Sequence, residues 1–194
     1  MREPAQRLFF ALWPTAEQQA SMANATWEVL QASGGRAVPG SNLHVTLAFL
    51  GSVPERRLGE LGSIAQRASA AAGVTQPFHV SFERLEYWKK AQLLCAVPAM
   101  ARALRDTGDA ATVLAAALKT QLVAAGFTPD LKPFRAHVTL ARKVSRRSDW
   151  ARELRMPPVS WSFTAFSLMV SRTDADGALY SVVESCLLAG PHFD

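Results

Sequence analysis

Two copies of one pentapeptide hold the residues best suited to chemistry in this 194-residue chain: His44-Val45-Thr46-Leu47-Ala48 and His137-Val138-Thr139-Leu140-Ala141. Imidazole is the side chain whose ordinary pKa, about 6.5, lets it give or take a proton near neutral pH. A threonine hydroxyl can donate a hydrogen bond to a phosphate oxygen. In a strand, residues i and i+2 share a face. His44 therefore stands beside Thr46 and His137 beside Thr139, while Val45, Leu47, Val138 and Leu140 anchor the other face. Two such strands facing each other across a groove would surround a tetrahedral group with two imidazoles and two hydroxyls. A phosphodiester needs that set: one histidine takes a proton from water, the other gives one to the departing oxygen, and the threonines hold the phosphate in line. Chance alone yields roughly 0.01–0.02 identical pentapeptide pairs in a chain of this length, so the repeat has a cause.

Other chemistries find less support. The sequence has no His-x3-His or Cys-x2-Cys spacing, and no carboxylate lies next to either motif histidine, so no metal site is expected. Ser33-Gly34-Gly35-Arg36 ends a helix rather than opening one, which excludes a phosphate-cradling loop there. The Gly-x-Ser-x-Gly pattern of a serine nucleophile is absent. Cys95 and Cys186 sit in apolar, strand-like runs and read as reduced core thiols. His79 is expected on an exposed strand face and His192 in a frayed C-terminus.

The net charge is +5, a modest excess, and its placement says more than its size. Residues 131–148 carry six cations (Lys132, Arg135, Arg142, Lys143, Arg146 and Arg147) and no acid, and they enclose His137. Such a run suits a polyphosphate. The start of the chain has no targeting segment, and the longest apolar run, residues 110–118, is far too short to cross a bilayer. A cytoplasmic, soluble protein is expected, with no membrane partner.

The elements that position the motifs follow from pattern. Strands are expected at residues 7–13, 43–50, 78–87, 92–97, 136–141, 159–171 and 178–188. Gly51 closes the second of these, Pro157-Pro158 introduces the sixth, and Asp176-Gly177 turns it into the seventh. Helices are expected at residues 16–33, opened by a Thr15/Gln18 capping box, at 54–72, and at 109–125, with a helical turn near 149–154. Strands and helices mix without strict alternation, so the class is α+β with largely antiparallel sheets.

The twin His-x-Thr-Leu motifs, 93 residues apart, resemble those of the 2H phosphoesterase superfamily. The start RLFFALW, the first motif extended as NLHVTLAFLG (42–51) and the second as PFRAHVTLAR (133–142) are similar to the bacterial and archaeal RNA 2′,3′-cyclic phosphodiesterases, also called 2′-5′ RNA ligases. The similarity spans essentially the whole chain, residues 1–194. It implies one bilobal domain: two similar α/β lobes with antiparallel sheets around a central cleft, one motif per lobe. It implies hydrolysis of an RNA 2′,3′-cyclic phosphodiester to a 2′-phosphomonoester without metal or cofactor, by a monomer whose partner is RNA or a nucleotide with that end. Carried over, His44 is the proton donor and His137 the proton acceptor. Thr46, Thr139 and Arg142 hold phosphate, and Phe49 stacks on a base. Counted from His137, Arg142 has the wrong strand parity for the site face, so it must sit where the strand ends and the loop turns. Two alternatives stay open: cleavage or ligation of 2′-5′ RNA linkages at the same site, and a non-catalytic module that binds RNA ends.

Overall fold

The computed structural model describes residues 3–98, 109–144, 155–173 and 178–188. Among them are nine strands: β1 (Ala5–Leu12), β2 (Arg36–Ala37), β3 (Val45–Pro54), β4 (Phe78–Trp88), β5 (Leu93–Pro98), β6 (Val138–Arg142), β7 (Arg155–Phe163), β8 (Ala165–Thr173) and β9 (Ala178–Leu187). Three α-helices accompany them: α1 (Ala16–Ala32), α2 (Leu58–Ala72) and α3 (Ala110–Ala124). The strands form one sheet in the order β7-β4-β5-β6-β3-β1-β8-β9, with β2 also paired to β6. Its pairings are antiparallel, as the α+β reading expects.

That order divides into two sets of four strands, with the motif strands β6 and β3 meeting at the middle. They pair at one position, Val45 opposite Val138. These are the same letter of the two motifs, so a local two-fold axis passes between them. Beyond that pair each strand takes other partners. Strand β2 pairs with the end of β6, and Asp130 N–H donates to the Phe49 carbonyl of β3 at 3.1 Å. The two α/β halves are thus joined through a shared sheet.

Local signals account for the helices. Thr15 Oγ1 accepts from the Gln18 backbone N–H at 3.2 Å and Gln18 Oε1 accepts from the Thr15 N–H at 3.0 Å, the reciprocal capping box. Asp109 caps α3 by accepting from the Ala111 N–H. One face of the sheet joins the helices in the main core, which takes in Leu8, Phe10, Val45, Leu47, Val138 and Leu140. Helix α1 packs on the half containing β7, while α2 and α3 pack on each other and on the half containing β3 and β9. The opposite face carries a small aromatic cluster, Phe9, Ala11 and Met169 with Trp13, Phe49 and Tyr180 packed around them.

Three expectations are corrected. The strand expected at 159–171 is two strands, β7 and β8, on either side of Thr164; β7 pairs with β4, whereas β8 pairs with β1 and β9. The buried residues record the break, since Val159, Trp161 and Phe163 have one parity and Phe166, Leu168 and Val170 the other. Consecutive strands at opposite ends of the order require the sheet to curl on itself. Pro157 and Pro158 lie within β7 rather than before it; β7 is an edge strand, where missing N–H groups are tolerated. Finally, β3 continues through Gly51 to Pro54. Gly51 sits at a register shift with φ +72°, a left-handed conformation that glycine adopts without strain and that turns a strand end into a bulge. The expected helical turn at 149–154, the Asp176-Gly177 turn, Arg146, Arg147 and His192 lie outside the described residues. No helix among the described residues is long and apolar enough to cross a membrane.

Candidate active site

The Val45–Val138 pair sets the geometry. In that antiparallel register His44 comes opposite Thr139 and Thr46 opposite His137, so both imidazoles and both hydroxyls lie on one face of the two strands. The valines point into the core, and the four polar residues lie half-buried on the face of the aromatic cluster. His44 Nδ1 donates to the Asn42 carbonyl at 2.7 Å, and His137 Nδ1 donates to the Arg135 carbonyl at 2.8 Å. A carbonyl only accepts, so each Nδ1 carries hydrogen and each Nε2 is left as the reactive nitrogen. His44 Nε2 lies 3.1 Å from Thr46 Oγ1. Upstream, buried Gln19 of α1 donates to the Ser41 and Leu43 carbonyls, and Asn42 Nδ2 donates to the Ala178 carbonyl at 2.7 Å, which pins the segment leading into His44.

Arg142 reaches the site face by a route that strand parity alone does not show. Cys95 pairs with Thr139 but Leu94 pairs with Ala141, so Leu140 is an extra residue in β6. The bulge reverses parity: Ala141 turns to the core with Leu94, and Arg142 turns to the same face as Thr139. Strand β3 repeats the device. Ala11 pairs with Thr46 and Phe10 with Ala48, so Leu47 is the extra residue and Phe49, opposite Phe9, joins the site face. Phe49 is half-buried under the Arg7 guanidinium, 4.9 Å from its ring centroid. It lines a cleft of about 260 Å³ with Thr46, Trp88, Lys132, Phe134 and His137. Of the six residues expected from the sequence, Thr46, Phe49 and His137 line this cleft; His44, Thr139 and Arg142 share the same sheet face but do not line it. Of the basic run, Lys132 and Arg135 also line this cleft, while Lys143 is exposed just past β6.

The model of the 2′-5′ RNA ligase superfamily matches residues 16–175, most of the sequence. The chain belongs to the 2′-5′ RNA ligase superfamily. It is 30% identical over 191 residues to a protein named RNA 2′,3′-cyclic phosphodiesterase from Thermus thermophilus, covering 96% of this chain and 92% of that one. It is 30% identical over 174 residues to the protein of the same name from Escherichia coli K12, covering 88% and 89%. Among solved structures, E. coli LigT complexed with NADP+ superposes with a TM-score of 0.75 at 26% identity, over 97% of this chain and 99% of that one. TT0787 of Thermus thermophilus gives 0.71 at 27% identity, over 96% and 100%.

In this superfamily member the two histidines sit in different surroundings. His44 is stacked on Trp13 (centroids 5.3 Å apart, planes at 19°), with Phe9 at 5.2 Å and the edge of Tyr180 at 5.3 Å. Burial lowers its pKa to about 4; the Asn42 carbonyl raises it in part, and the charges of His137 and Arg142 lower it further. Among the described residues His137 has one aromatic neighbour, Trp88, at 4.5 Å. Its pKa is also lowered, first by burial and then by the Arg135 and Arg142 cations, against the raising effect of the Arg135 carbonyl. Both imidazoles are therefore neutral at pH 7 in the phosphate-free protein.

Glu86 organises the His137 side. It accepts from Arg135 Nη2 at 2.6 Å, from Trp88 Nε1 at 3.0 Å and from Arg84 Nη2 at 3.1 Å, which sets the Trp88 ring beside His137. The sequence reading missed Trp13, Tyr180, Trp88, Glu86 and Gln19. They arrive from separate elements and carry no shared spacing; the one available signal is that Trp13 closes the RLFFALW run, just past the end of β1. Both cysteines are free and buried. Burial pushes the Cys95 thiol, beside the Thr139 hydroxyl, up to about 12 and Cys186 up to about 11, so neither is a thiolate near neutral pH. Among the described residues no three His, Cys, Asp or Glu side chains cluster as a metal ion would need.

Proposed function

We propose that this protein hydrolyses the 2′,3′-cyclic phosphate at an RNA end to a 2′-phosphomonoester, using two histidines and no metal. The observation that carries the reading is the Val45–Val138 pairing, which sets both motifs side by side with their imidazoles and hydroxyls on one face. The relatives named RNA 2′,3′-cyclic phosphodiesterase, similar over most of both chains, support the substrate class. The LigT complex with NADP+ supports nucleotide binding on this fold.

In this mechanism His137, neutral and hydrogen-bonded through Nδ1, takes a proton at Nε2 from the attacking water. The water oxygen bonds to phosphorus as the bond from phosphorus to the 3′ oxygen breaks, and His44 supplies the proton that the 3′ oxygen gains. Thr46 and Thr139 donate to the non-bridging oxygens and Arg142 balances their charge. His44 must be protonated to act, against the burial that depresses its pKa. The anionic phosphate raises it on binding, and the stacked Trp13 face favours the imidazolium. Phe49 offers the exposed part of its ring to a base.

The test is an RNA oligomer ending in 2′,3′-cyclic phosphate, incubated with EDTA. The expected product is the 2′-phosphate, and His44→Ala or His137→Ala each slows turnover on the order of 10²–10⁴-fold. A 3′-phosphate product, or full activity in either variant, overturns the assignment.

A further inference from the structure

Arg142 has a twin that the motifs do not contain. Strand β2 pairs with the end of β6, Arg36 directly opposite Arg142 and Ala37 opposite Ala141. Residues directly opposite in a ladder share a face. The bulge at Leu140 turns Arg142 to the site face, and Arg36 is its partner across the ladder. Cross-strand partners have Cβ atoms about 4.5–5.5 Å apart. At that spacing two planar guanidiniums can approach one tetrahedral anion from two sides, each with paired N–H donors.

We infer that Arg36 and Arg142 form a two-guanidinium clamp for the substrate phosphate, with Arg36 a binding residue outside both histidine motifs. This rests on reading the cleft as a phosphodiester site. Arg142 is the inner arm, because its charge acts on both imidazoles. Arg36, exposed at the outer side of the pair, is the outer arm.

The local sequence is built to hold Arg36 in place. A Cβ at Gly35 would lie 2.6 Å from Val144 Cγ2 and 3.1 Å from the Arg142 carbonyl oxygen. Val144 is fully buried and cannot step aside. Only glycine lets β2 close onto β6 so that the next residue meets Arg142. The Val38 N–H then donates to the Leu140 carbonyl at 2.8 Å and locks the strand to the bulge. The Ser33-Gly34-Gly35-Arg36 stretch, which is no phosphate loop, thus delivers one arginine to a phosphate by another route.

The experiment measures inorganic phosphate binding by thermal shift, and turnover of adenosine 2′,3′-cyclic phosphate, for wild type, Arg36→Gln, Arg36→Lys and Gly35→Ala. Arg36→Gln is expected to weaken phosphate binding and raise KM by about three- to tenfold with little change in kcat, the loss of one charge-assisted contact. Arg36→Lys should recover part of this, because a point charge lacks the fork. Gly35→Ala should weaken phosphate in the same direction. Unchanged phosphate affinity and KM in Arg36→Gln overturns the clamp. So does a variant that melts well below wild type without phosphate yet binds it normally, which would make Arg36 purely structural. Arg36-dependent phosphate binding without turnover of any cyclic phosphate would sink the proposed function and leave the clamp standing.

Discussion

Phe49 and Arg142 occupy equivalent positions on the two motif strands: each lies three residues beyond its threonine, and each is turned onto the site face by an extra leucine, Leu47 in one strand and Leu140 in the other. The local two-fold that makes the histidines and threonines match is broken here, with a ring on one side and a guanidinium on the other. The otherwise symmetric candidate site thereby gains a direction, an apolar end suited to a base and a cationic end suited to phosphate charge.

That asymmetry separates two variants. Phe49→Ala should raise KM with kcat nearly unchanged, since stacking on a base contributes about 1–3 kcal/mol in binding. Arg142→Gln should lower kcat as well, because its charge acts where negative charge builds up. Steady-state kinetics on one cyclic nucleotide would reject the assignment if the two variants showed the same KM-against-kcat pattern.

The pH profile should follow the depressed histidines. In the free protein both pKa values lie below the ordinary 6.5, so kcat/KM should peak on the acid side of that value and fall as the donor loses its proton. Arg142 lowers both, so Arg142→Gln should move both limbs to higher pH. A profile that stays in place in that variant would show that Arg142 does not act on the imidazoles.

Stability carries the same signature. His44 has a folded pKa near 4 against an unfolded 6.5, so between these values the unfolded chain binds more protons. Stability should therefore rise with pH from about 4 to 6.5, by about 3 kcal/mol. Urea melts of wild type and His44→Gln should show a shallower rise in the variant, and parallel curves would contradict the buried neutral imidazole.

The threonines should count for less than the histidines. Thr46→Val or Thr139→Val removes one donor to the phosphate and should cost on the order of 10–10² in kcat. Thr46→Val also removes the hydroxyl beside His44 Nε2, so its pH profile should shift while that of Thr139→Val shifts less.

Native thiols should be inert. Cys95 and Cys186 are buried with raised pKa values, so a thiol reagent at pH 8 should label the protein only after denaturation. Rapid labelling of the native protein with loss of activity would point to a nucleophilic cysteine after all.

Much of the architecture was readable because its causes are local. The Thr15–Gln18 capping box, the helix stops and the alternating strands depend on residues within a few positions of one another. Where reading failed, the cause was distant. The run at 159–171 looks like one strand until β4 and β1 claim its two halves for opposite parts of the sheet. Gly51 looks like a strand end until pairing with β1 makes it a bulge. The expected misfit of Arg142 had the same origin, since β6 gains its extra residue only against β5.

By itself the sequence determined that each motif presents an imidazole and a hydroxyl on one face and two apolar anchors on the other, because covalent geometry sets the two-residue repeat of a strand. Only the tertiary structure decided that the strands meet at Val45 and Val138, that Trp13, Phe9 and Tyr180 enclose one histidine and Trp88 the other, and that Arg36 stands across from Arg142. Register, bulges and ring contacts arise between segments far apart in the chain, and no spacing within a single segment encodes them.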